Sequence, residues 1–86
     1  MSKILQGTRL NDNIIPLDKG EYSKQNNGDW LLCLPTGIHG RINNTTWNII
    51  EHENNTITVS PSINTTCPDP NYNWHGWLEN GIWREA

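Results

Sequence analysis

The stretch Trp74-His75-Gly76-Trp77-Leu78-Glu79-Asn80-Gly81-Ile82-Trp83-Arg84 constrains this chain more than any other part of it. An Asn-Gly pair between two such runs predicts a β-hairpin closed by a type I′ turn, because both central residues of that turn need positive φ. A two-residue loop also fixes the register. Glu79 is placed opposite Ile82, Leu78 opposite Trp83, and Trp77 opposite Arg84. Side chains alternate across a strand, so Trp74, Leu78 and Trp83 fall on the inner face and His75 and Trp77 on the outer one. Trp77 and Arg84 are then expected to form a cation–π pair.

The rest of the chain reads the same way. Residues 46–60 predict a second hairpin, turning at Asn54-Asn55, with Ile50 opposite Val59 and His52 opposite Ile57. Asp29-Trp30-Leu31-Leu32-Cys33-Leu34, closed by Pro35 and Gly37, reads as a buried central strand, and residues 38–43 return beside it. Residues 3–10 and 14–17 are further strand candidates, the latter placed at an edge by Pro16. Residues 22–28 and 64–73 read as loops. Apolar residues do not recur at helical spacing in any long window. The expected fold is therefore all-β: one domain with a twisted antiparallel sheet of five to seven short strands, rolled or sandwiched. Residues 1–27 supply N-terminal strands and a loop, and residues 28–86 the main body.

Eighty-six residues exclude a two-domain enzyme, and no apolar run is long enough for a membrane span. Nine acidic against six scattered basic residues give a net charge of −3, which disfavours a nucleic-acid backbone as partner. The first residues lack the apolar stretch of a secretory signal. A cytoplasmic location is expected, where Cys33 and Cys67 stay reduced. The interior of so short a chain is thin, yet it must absorb five Trp. Trp77 is therefore expected at the surface as an anchor, and self-association into a homo-oligomer would cover an open sheet edge.

Several segments taken together resemble a known family. They are Trp47, Thr58-Val59-Ser60-Pro61-Ser62-Ile63, Trp74-His75-Gly76-Trp77-Leu78 and Gly81-Ile82-Trp83. They resemble a family of short phage and prophage proteins of unknown function, over about residues 28–84. That family carries a Cys-Pro-x-Cys-Gly-like knuckle. Here the knuckle is Cys33-Leu34-Pro35-Thr36-Gly37, with Thr36 where the second cysteine would stand. The resemblance implies a small β-rich domain of viral or prophage origin, acting in counter-defence.

Four residues suggest a metal: Cys33, His39, Cys67 and His75 could supply tetrahedral zinc. Their spacing matches no standard finger, and Cys33 between Leu32 and Leu34 reads more simply as a small buried hydrophobe. A Cys–His nucleophile finds no local support, and no Gly-x-Ser-x-Gly elbow occurs. Glu51 and Glu53 point away from His52 and read as a solvated hairpin tip. Thr58, Ser60 and Ser62 share one side of their strand if it stays extended, and with His75 and Trp77 would form a polar patch. The leading expectation is a binding protein without catalysis, taking a host protein or a small ligand through Trp77, His75, Arg84, Arg41 and Ser62. A structural zinc module on Cys33, His39 and His75 is the alternative, and a small metal-dependent hydrolase the third reading.

Overall fold

The computed structural model describes residues 4–86, so Lys3 of the expected first strand lies outside the described residues. Nine strands follow in order: β1 (Ile4–Gln6), β2 (Thr8–Arg9), β3 (Glu21–Lys24), β4 (Trp30–Cys33), β5 (His39–Ile42), β6 (Asn48–Glu51), β7 (Ile57–Thr65), β8 (Trp74–Glu79) and β9 (Ile82–Glu85). A single 3₁₀ turn, Pro70–Tyr72, precedes β8, and no α-helix occurs among the described residues. One sheet has the order β1-β9-β8-β7-β6 and is antiparallel throughout. The other, β2-β3-β4-β5, is mixed, because β2 pairs in parallel with β3. The chain passes from the first sheet to the second at Gly7.

One apolar core lies between the sheets. Tyr22, Trp30, Leu32, Leu34 and Ile42 enter it from the mixed sheet, and Ile57, Val59, Ile63, Trp74, Leu78 and Trp83 from the antiparallel one. Trp83 is fully buried, packs edge-on against Trp74 at 5.5 Å between ring centroids, and donates its indole N–H to the Gly20 carbonyl at 2.9 Å. That bond ties one sheet to the connection that leads into the other.

The C-terminal hairpin forms in the expected register, with Asn80 and Gly81 at φ 49° and 75°. The cation–π pair does not form. The Arg84 guanidinium turns to Glu79 instead, where opposite full charges attract more strongly than a ring face does. A guanidinium does sit over a ring elsewhere, Arg9 at 4.8 Å from the Trp30 centroid.

The second hairpin forms with its register shifted by one residue. Ile49 faces Val59, Ile50 faces Thr58 and Glu51 faces Ile57. Only Asn55 takes positive φ (69°), and the loop closes through Asn55 N–H to the His52 carbonyl at 3.0 Å and His52 N–H to the Thr56 carbonyl at 2.8 Å. A loop closed this way holds one residue more than a two-residue turn. The slip exchanges faces, so Ile50 points to solvent and Ile49 packs against the core.

Two further expectations are corrected. Residues 14–17 form no strand; they cross the outer face of the mixed sheet, with Pro16 buried and Leu17 placing its carbonyl 3.7 Å from the Cys33 thiol. Residues 21–24, expected mostly as loop, form β3. Its Ser23 is buried because its hydroxyl donates to the Asn11 carbonyl at 2.8 Å and accepts from Ile14 N–H at 3.3 Å.

A charged clamp joins the sheets on one flank. Glu51 of β6 accepts from Lys24 of β3 at 2.9 Å and from Arg9 of β2 at 3.0 Å. The Lys24 bond, ahead of the Arg9 bond and against the opposing effect of burial, holds the Glu51 carboxyl below the usual glutamate range. A folded-state value below the unfolded one gives stability above the unfolded value of ~4.3, and that stability disappears as pH falls through the lower folded value. The side chain is 42% exposed, so solvent screening limits the effect to about 1 kcal/mol or less. Urea midpoints of the parent and Glu51→Gln should differ at neutral pH and converge toward strong acid. A constant gap down to strong acid would mean that the carboxylate's charge is not what the clamp uses.

A candidate serine–histidine site

The outer face of the antiparallel sheet carries the side chains that chemistry could use. On β8, Trp74, Gly76 and Leu78 are buried, which turns His75 and Trp77 outward. Gly76 is needed for this arrangement. A β-carbon there would collide with the Arg84 carbonyl and lie 2.7 Å from the Trp74 indole, which folds over this position. The backbone of His75 is held on the β9 side as well, where its carbonyl accepts from Ala86 N–H at 2.9 Å.

The neighbouring strand is irregular at the same level. Val59 pairs with Leu78 and Ile63 with Gly76, so β7 advances four residues while β8 advances two. Ser60, Pro61 and Ser62 together face Trp77 alone. Proline cannot donate to a ladder, and strand prolines are confined to edges, first positions and bulges; Pro61 sits in the bulge, after a cis peptide bond. The bulge carries Ser62 toward β8, where its hydroxyl oxygen lies 2.9 Å from Nε2 of His75. With hydrogen on Nδ1, the imidazole accepts a hydrogen bond from the Ser62 hydroxyl at Nε2. His75 is exposed and Ser62 partly so, and the Trp77 ring lies 5.9 Å from the His75 ring, tilted by 38°. A hydroxyl within hydrogen-bond reach of an accessible imidazole is the minimum arrangement for nucleophilic catalysis by serine.

The other expected site residues lie apart from this pair. Trp77 and Arg84 share the outer face with it, Arg84 engaged by Glu79. Arg41 is on β5 in the mixed sheet and faces Asp29 at 3.7 Å. The zinc set does not assemble. Cys33 and His39 are cross-strand neighbours in the mixed sheet, while His75 belongs to the other sheet. Burial first, then the charges of Glu21 and Asp18, push the Cys33 thiol above its ordinary value, which disfavours the thiolate that zinc requires. His39 donates from Nε2 to the Pro16 carbonyl at 2.6 Å. Among the described residues no three His, Cys, Asp or Glu side chains are grouped to hold a metal ion. The structure thus gives no support to the zinc module or the metal-dependent hydrolase.

The two sheets thus bring one serine and one histidine together on an accessible outer face. Residues 14–86 match the family of bacterial ubiquitination-like system serine proteases, BubE, and the chain belongs to that family. No curated protein and no solved structure matches the chain. Membership corrects the expected phage and prophage family, with its counter-defence role, and it corrects the reading as a binding protein without catalysis. The sequence places Ser62 beside His75 and Trp77 in a polar patch; the direct hydrogen bond between the two is not legible there, because no Gly-x-Ser-x-Gly elbow marks the serine. The missing signal was a proline between two serines in a strand, beside a strand with an outward histidine.

Proposed function

We propose that this chain hydrolyses amide bonds, with Ser62 as nucleophile and His75 as general base. The observation that carries this reading is the 2.9 Å contact between the Ser62 hydroxyl and His75 Nε2 on an accessible face. The family's description supports it, since a serine protease needs such a pair. A protease belonging to a ubiquitination-like system would act on the amide that joins a protein's carbonyl to an amine.

The chemistry follows from the geometry. As Ser62 Oγ bonds to the substrate carbonyl carbon, its proton passes to His75 Nε2 and the carbonyl π electrons move to oxygen. The resulting imidazolium then gives that proton to the amine nitrogen as the C–N bond breaks. Water attacks the acyl-serine ester with His75 again taking a proton, and Ser62 is regenerated. A fluorophosphonate probe should label Ser62, as located by peptide mass mapping, and His75→Gln should abolish labelling. Labelling at another residue, or none in folded protein, would remove the proposal.

A hollow of about 610 Å³ opens beside Trp77, walled also by Thr58, Ser60, Glu79 and Arg84 and reaching neither Ser62 nor His75; a substrate chain seated in it would pass Trp77 on its way to the pair. Trp77 is only partly buried and lies on the outer face, so Trp77→Ala should leave the urea midpoint nearly unchanged. It should raise KM about tenfold, equivalent to ~1.4 kcal/mol, with kcat much less affected. Unfolding of the variant would instead make this indole part of the core.

A further inference from the structure

We propose that Trp47 is a positioning residue for the Ser62 nucleophile, an assignment that rests on the serine hydrolase reading. The bulge that presents Ser62 also deprives it of ladder support. β8 offers only Trp77 opposite Ser60, Pro61 and Ser62, and β6 pairs with β7 no farther toward Ser62 than Asn48 with Ser60. Between that pair and Ile63, which pairs with Gly76, the Ser62 backbone is reached by a side chain. The Trp47 indole N–H donates to the Ser62 carbonyl at 3.4 Å.

The indole is itself fixed from two directions. Its ring is partly buried and packs against the core. Its loop is braced by asparagines: the Asn43 side chain accepts from Thr45 and Thr46 N–H, each at 2.9 Å, and the Asn44 side chain accepts from Ile49 N–H at 3.0 Å. Trp47 N–H adds a bond to the Asn43 carbonyl at 3.1 Å. The donor is therefore in place before substrate arrives. By pinning the Ser62 peptide, it sets where the side chain leaves the backbone and keeps Oγ on the His75 nitrogen. Catalytic geometry is sensitive to displacements of this kind, about a hundredfold in rate for 1 Å.

The test removes the N–H and keeps the ring. Trp47→Phe is the simple variant. A chemically synthesised chain carrying 3-benzothienylalanine at this position preserves the bicyclic shape without the donor. Both are expected to show labelling of Ser62 by the fluorophosphonate slowed by about ten- to a hundredfold. In peptide hydrolysis kcat should fall by the same factor with KM unchanged. The benzothienyl chain should unfold at the parent's urea midpoint. If it labels at the parent rate, the positioning role is overturned, whatever the Phe variant does. If the parent itself is not labelled at Ser62, it is the hydrolase reading that fails.

Discussion

Ser62→Ala and His75→Gln should each lower kcat/KM by about 10⁴-fold or more, and the double variant should be no slower than the worse single one. The hydroxyl and the imidazole act in one step. Without the base, the hydroxyl cannot shed its proton as the C–O bond forms; without the hydroxyl, the base has nothing to activate. Two independent contributions would multiply, and two halves of one device do not. The measurement is steady-state hydrolysis of a peptide or conjugate substrate by the four proteins, each checked for an unchanged urea midpoint. Near-wild-type turnover in Ser62→Ala would place the nucleophile elsewhere. Multiplying losses would mean that His75 acts apart from Ser62.

Trp83→Ala should cost about 3–5 kcal/mol, against a total stability of about 4–13 kcal/mol for a domain of this length. Three losses coincide at this residue. A large volume is removed at a fully buried position, the edge-on contact with Trp74 is lost, and the indole bond to the Gly20 carbonyl disappears. Trp83→Phe separates these by keeping a ring in the core while deleting the N–H, and should fall between parent and alanine variant. Urea unfolding followed by far-UV circular dichroism reads all three. The alanine variant should also lose activity beyond its unfolded fraction, since Trp74 immediately precedes His75. A Trp83→Ala domain as stable as the parent would show that the two sheets are held together by something else.

How far the sequence discloses the fold depends on where each element's information is stored. The hairpin of β8 and β9 is specified locally, because Asn80-Gly81 sets turn type and register without help. The hairpin of β6 and β7 is not, because Asn-Asn does not oblige both residues to take positive φ. Only Asn55 does so, and the pairing slips by one. β3 is hidden for another reason. Glu21, Ser23 and Lys24 look like loop residues, and what buries Ser23 is hydrogen bonding to Asn11 and Ile14, about ten residues away. The site stands between these cases. The outward direction of His75 follows from alternation within β8. The approach of Ser62 requires the bulge, and the register shift that makes it is a property of two strands together. Residue types alone put Ser62 and His75 in one polar patch at the surface, and could not give the bulge that brings them into contact.

The bulge also changes what an insertion would do. Val59 and Ile63 are both buried, opposite Leu78 and Gly76, yet none of Ser60, Pro61 and Ser62 between them is. Strict alternation would turn Pro61 inward with Val59 and Ile63; the irregular backbone instead leaves all three residues outside the core. A bulge takes up surplus residues without reversing the facing of the strand on either side. The stretch that carries the nucleophile is therefore insulated from the sheet's two-residue period: a residue gained or lost there should alter the aim of Ser62 while Val59 and Ile63 keep their places inside.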